Sequence, residues 1–157
     1  MAKREVTPQR KAFLDAIAVG EGTDNGRQQT ANHGYDVIVG GSLFTDYSDH
    51  PRKLVVLNPK LKSTAAGRYQ LLSRYYDSYK KSLGLPDFSP ESQDQIALQQ
   101  IAERGALADV DAGRIKDAVK KCRTIWASMP GSPYGQRTET MADFLEYFTA
   151  AGGKVAA

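Results

Sequence analysis

The sequence predicts an α+β fold, a small antiparallel sheet joined to a predominantly helical lobe with a cleft between them. Three observations point there. Apolar residues recur at helical spacing near the start of the chain and again after Gly67. Between Gly22 and about Pro59 the pattern shifts to short β-type runs separated by turn residues. The chain has 157 residues, 41% of them hydrophobic, which suits one compact domain over residues 1–157 that buries roughly 70% of its unfolded surface.

The elements follow in order. Thr7 before Pro8 marks a helix start, because the hydroxyl caps free amides and proline fits the first helical position. Phe13, Leu14 and Ile17 give that helix its apolar face, and Gly20 and Gly22 end it. Asp24-Asn25-Gly26 is a turn. Residues 35–39 and 53–57 read as strands, broken by Gly40-Gly41 and His50-Pro51. Leu72, Tyr75, Tyr76, Tyr79 and Leu83 predict a second helix stopped by Gly84. Ser89-Pro90 opens another that runs past Ile96, Ala97 and Ile101 to Gly105. Ile115, Ala118, Val119, Cys122 and Trp126 mark the next, halted near Pro130-Gly131, and Met141, Phe144, Leu145 and Phe148 mark the last, before Gly152-Gly153.

Composition excludes several classes. No apolar run approaches the roughly 20 residues of a membrane span, and the basic first residues lack the apolar core of a secretory signal. The single cysteine, Cys122, forms no internal disulfide and sits on an apolar helical stripe, where an inert buried thiol is expected. His33 and His50 lie in separate loops without ligand spacing, so no metal site is expected, and no phosphate or dinucleotide fingerprint calls for a cofactor. With 21 Lys and Arg against 18 Asp and Glu, the net charge of +3 is a mild bias toward an anionic partner. Arg114, Lys116, Lys120, Lys121 and Arg123 alternate around a helix with an apolar face, which reads as a solvated face rather than a nucleic-acid footprint.

The acid of interest is Glu21, between two glycines just past the first helix. A helix C-terminus and an apolar wall both disfavour a carboxylate, so this position raises a pKa, as a glycosidase general acid requires. The same spacing also suits a solvated glutamate in a glycine loop. Gly67-Arg68-Tyr69-Gln70 combines a glycine that lets a ligand approach the backbone with a stacking ring and an amide suited to sugar hydroxyls and N-acetyl groups. Read plainly, it is an ordinary helix start. The turn from Pro130 to Gln136 presents Tyr134, or simply connects two helices.

Taken in order, Glu21-Gly22-Thr23-Asp24-Asn25-Gly26-Arg27-Gln28, Asn32-His33-Gly34-Tyr35-Asp36-Val37-Ile38-Val39-Gly40-Gly41, Gly67-Arg68-Tyr69-Gln70-Leu71-Leu72-Ser73-Arg74 and Ile125-Trp126-Ala127-Ser128 resemble the lambda-type lytic transglycosylases of phages. The resemblance runs almost unbroken over residues 9–136. It implies a lysozyme-like fold and a phage endolysin that takes peptidoglycan glycan strands. It also implies Glu21 as sole acid/base, cleaving the bond between N-acetylmuramic acid and N-acetylglucosamine with formation of 1,6-anhydro ends. A hydrolase normally needs a second carboxylate; a substrate that supplies its own hydroxyl does not. Gly67, Arg68, Tyr69 and Gln70 resemble the cleft-lining motif, Tyr134 the tyrosine that closes the site, and Gln100 a further lining residue. The implied partner is a holin, whose membrane lesion releases a monomeric enzyme from the host cytoplasm to the wall in the periplasm. Two departures stand out. Val19-Gly20 replace a tryptophan and a serine, removing a polar neighbour of the acid, and Tyr75-Tyr76 replace a tryptophan pair. The rival within the same substrate class is a hydrolytic muramidase that uses Asp36 as second carboxylate.

Overall fold

The computed structural model describes residues 3–157. In chain order its elements are α1 (Pro8–Glu21), β1 (Val55–Asn58), β2 (Leu61–Ser63), α2 (Ser73–Leu83), α3 (Pro90–Glu103), α4 (Leu107–Ala112), α5 (Ile115–Cys122) and α6 (Met141–Ala150). The α+β architecture is as expected: a small antiparallel sheet and a larger helical lobe.

Helix α1 begins as its sequence dictates, with the Thr7 hydroxyl accepting from the Arg10 amide and Pro8 at the first position. Its end differs. Gly20 stays helical, and the stop is Gly22, whose left-handed conformation (φ +80°) turns its N–H back to the Ala18 and Val19 carbonyls. Glu21 is therefore the last residue of the helix rather than the first of the loop.

The sheet also departs from expectation. β1 and β2 form an antiparallel hairpin pairing Val55 with Ser63 and Val56 with Lys62, irregular between Val56 and Asn58. Its second strand, polar and only three residues long, carries no alternation to read. Residues 35–39 form no strand, only the isolated bridges Val37 to Leu43 and Ile38 to Ala66. The reason is local: Gly40 and Gly41 both take positive φ and return the chain at once, so that the Ile38 amide donates to the Ser42 carbonyl at 2.7 Å. Val37 and Ile38 are both buried, as in a packed turn and unlike a half-exposed strand.

In the helical lobe, Gly84 ends α2 and Ser89-Pro90 opens α3 as predicted. Helix α4 is additional, and α5 ends at Cys122, short of Trp126. Trp126 belongs to the following segment, where its indole N–H donates to the Tyr69 carbonyl at 3.1 Å. That bond ties the chain after α5 to the turn before α2.

Two apolar clusters hold the molecule. The larger wraps α1, with Phe13 edge-on to Phe144 at 5.4 Å and to Phe148 at 6.5 Å. The smaller gathers Ala66, Leu71, Tyr76, Phe88 and Ile96 beneath the sheet side. The middle of α1, with Ala12, Phe13, Leu14, Ala16, Ile17 and Ala18 buried, is locked in the core, and its last turn emerges between the two lobes.

Candidate active site

That last turn carries Glu21 into a cleft of about 660 Å³. The hairpin side contributes Val39, Leu57, Leu61, Lys62 and Ser63; the helical side contributes Leu72, Arg74, Tyr75, Thr124, Ile125 and Tyr134, with Gln70 between. A smaller hollow of about 190 Å³ shares Gln70, Leu72, Tyr75, Thr124 and Ile125 and adds Gln100. The two adjoin through these shared residues to form one groove, whose hollow end also carries Glu103 and Arg104.

Glu21 is the only carboxylate lining the main cleft among the described residues. Its residue surface is partly open to the cleft, yet its carboxyl is embedded among protein atoms, and burial lifts its pKa from 4.5 to about 7. The opposing influence is a hydrogen bond from the Ser128 hydroxyl, which favours the charged form. Ser128 packs against α1 where the helix lacks a side chain: a Cβ on Gly20 would stand 3.2 Å from its Oγ. The acid thus keeps a hydroxyl neighbour, supplied from the segment after α5 rather than from position 20. A carboxyl with a pKa near 7 holds or releases a proton at neutral pH, as acid–base chemistry demands.

The remaining predicted site residues divide. Gln70 lies in the cleft in a left-handed conformation (φ +52°), its Nε2 donating to the Val37 and Gly67 carbonyls, so its amide oxygen is the atom left for a ligand. Tyr134 is 54% exposed and is anchored by its hydroxyl to the Thr124 carbonyl. Gln100 lines the adjoining hollow. Arg68 and Tyr69 are buried, each only 5% exposed; Tyr69 still borders the hollow that holds Gln100, while Arg68 borders neither it nor the main cleft. The Arg68 guanidinium bonds Asp15 at 2.8 Å and Asp24 at 2.9 Å, and the Tyr69 hydroxyl donates to Asp94 at 2.6 Å. Burial raises the Asp94 carboxyl, against the hydroxyls of Tyr69 and Tyr35 that donate to it. Gly67 is not open to a ligand either. A Cβ there would collide with the Gln93 amide and approach Phe88 Cζ to 2.9 Å.

Asp36, the rival second carboxylate, is buried and accepts from the Thr30 hydroxyl and the Ala31 amide. It does not line the cleft. The His50 ring bridges the Leu71 carbonyl and the Arg52 amide, and burial lowers its pKa, which keeps it neutral. Burial pushes the Cys122 thiol up to about 12, so it is no nucleophile. Among the described residues no group of three or more His, Cys, Asp or Glu could hold a metal ion.

Sequence reasoning missed Ser128, Tyr75, Lys62 and Arg74 as groups of the site. For Tyr75 a signal existed. Adjacent residues on a helix point about 100° apart, so Tyr75 and Tyr76 cannot share a packing face; Tyr76 is buried and Tyr75 is 45% exposed in the cleft.

The family model described as Endolysin matches residues 11–155. The endolysin of Escherichia phage lambda is 66% identical over 151 residues, covering 96% of each chain. That of Escherichia phage P2 is 53% identical over 152 residues, covering 90% of this chain and 92% of its own. The solved bacteriophage lambda lysozyme complexed with a chitohexasaccharide superposes with a TM-score of 0.96 at 65% identity, covering 98% of this chain and 99% of that one. A further structure of lysozyme from bacteriophage lambda gives 0.92 at the same identity and coverage.

Proposed function

The chain belongs to the endolysin family, and from that membership we propose that it is a phage endolysin working as a peptidoglycan lytic transglycosylase. The observation that carries this reading is a carboxylate with a pKa near 7 that is the only one lining the main cleft among the described residues. Glu21, protonated, gives its proton to the oxygen between N-acetylmuramic acid and N-acetylglucosamine as the C1–O bond breaks. The resulting carboxylate takes the proton of the muramic C6 hydroxyl as that oxygen bonds C1. The products are a free 4-hydroxyl and a 1,6-anhydro end; Glu21 recovers its proton and no water is consumed. One group near pH 7 is suited to both transfers.

A hydrolytic mechanism would recruit a second carboxylate to place or replace water. Asp36 is committed to Thr30 and Ala31 away from the cleft, which favours the transglycosylase. The chitohexasaccharide held by the similar lambda lysozyme supports a β-1,4-linked amino-sugar strand as ligand. In this reading Gln70, Gln100 and Tyr134 touch the strand, while Gly67, Arg68 and Tyr69 shape the turn that presents Gln70. The enzyme acts as a single catalytic domain and a monomer, held in the host cytoplasm until a holin opens the inner membrane and then working on the wall in the periplasm. No described helix is long and apolar enough to cross a membrane.

Mass spectrometry of muropeptides released from purified sacculi tests the chemistry. Anhydro ends, one water lighter than reducing ends, are expected from the parent, with none from Glu21→Gln. Reducing muramic ends would replace the transglycosylase by a hydrolase.

A further inference from the structure

The groove makes a second demand on its substrate, one of charge. Besides Glu21, the charged residues lining the main cleft are Lys62 on β2 and Arg74 in the first turn of α2. They come from opposite lobes. Among the described residues neither has a carboxylate within ion-pair distance, unlike Arg10, Arg52, Arg68 and Arg114; Arg104, in the adjoining hollow, is likewise unpaired but stands outside the main cleft. Arg74 is nevertheless held in place. Its guanidinium lies 4.9 Å from the Tyr75 ring centroid and donates to the Tyr75 hydroxyl at 3.3 Å, contacts that orient a cation without neutralising it. Nor do these cations serve the acid, whose pKa is governed by burial and Ser128.

If the strand is peptidoglycan, as proposed above, every muramic unit carries a lactyl-linked peptide with free carboxylates. We propose that Lys62 and Arg74 form a carboxylate-receiving pair for these peptide stems, so that the groove prefers peptide-bearing strands to bare glycan. The polar glycan backbone then engages Gln70 and the tyrosines, and the two cations read what hangs from it.

The test compares kcat/KM on purified glycan strands carrying stem peptides with that on the same strands stripped by an amidase. For Lys62→Gln and Arg74→Gln, the ratio of the two values is expected to fall by up to about fivefold each at low ionic strength, the range of an exposed ion pair, and further in the double variant. The fall should appear in KM, shrink at high salt, and be restored by Arg74→Lys. A ratio unchanged in the double variant, with thermal melting confirming that it is folded, overturns the inference while leaving the glycan-cleaving activity in place. Failure of the parent to cleave either substrate would instead overturn the proposed function and this inference with it.

Discussion

Glu21 owes its chemistry to a conflict between its own charge and its surroundings. Burial raises the carboxyl to about 7, and Ser128 pulls the other way. Activity limited by the protonated acid should therefore fall as pH rises through about 7, measured as kcat/KM on purified sacculi. Ser128→Ala removes the bond that favours the charged form, so the falling limb should move to higher pH; an unmoved limb would show that Ser128 does not act through Glu21. The same conflict bears on stability. The folded pKa exceeds the unfolded one, so the native state binds more protons between pH 4.5 and about 7. Stability from this group is present below the unfolded value and lost as pH rises through the folded one. Glu21→Gln should abolish activity and, above pH 7, raise unfolding free energy by about 3 kcal/mol in denaturant titrations, at 1.36 kcal/mol per pH unit. Below pH 4.5 the two proteins should be equally stable.

Elements act here chiefly by delivering side chains to the groove. Helix α1 does so because Gly22, not Gly20, stops it: two more helical residues, Gly20 and Glu21, place the acid on the last turn and direct it out of the core. Helix α2 delivers Tyr75 and Arg74 to the cleft while burying Tyr76 against Phe88. The turn before α2 rests on α3 through Gln93, which accepts from the Arg68 amide and donates to the Tyr35 and Phe88 carbonyls. Gly67 is glycine to admit that amide, and its φ of +85° disfavours any other residue. Gly67→Ala should cost about 2–4 kcal/mol in thermal or chemical unfolding, from overpacking and broken buried hydrogen bonds. If the substitution left stability intact and weakened only substrate binding, Gly67 would be a ligand-approach position after all.

At the scale of the whole molecule, Arg68 is a strut that ties α1 to the loops that follow it. Its side chain joins α1 at Asp15, the loop after α1 at Asp24 and the backbone of His33, and it lies over the rings of Tyr35 and Tyr69. Asp15 keeps Lys11 and Asp24 is partly exposed, so removing the buried guanidinium costs chiefly its hydrogen bonds to them and to the His33 carbonyl, about 1–3 kcal/mol. Arg68→Gln should accordingly lower the melting temperature. Its kinetic effect should fall on kcat, through displacement of the Glu21 turn, with KM little changed. A rise in KM at constant kcat would mean that Arg68 binds the strand directly.

Much of this was legible in the chain. Thr7-Pro8, Ser89-Pro90 and Gly84 mark helix ends through bonds made within a few residues, and such local chemistry travels with the sequence. Glu21, Gln70 and Tyr134 could be singled out for the same reason: residue type and a neighbouring glycine or turn are local facts. The extended look of residues 35–39 misled because two glycines farther on reverse the chain and bury both valine and isoleucine. Spacing alone also could not tell that Arg68 is buried while Arg74 faces the cleft, or that Ser128 supplies the hydroxyl missing at Gly20. Those outcomes depend on burial and electrostatic partnership, which are set by residues far away in sequence. The chain determined where most of its helices start and stop and its family; only the packing of two lobes decided which side chains face the groove and where the Glu21 carboxyl holds its proton.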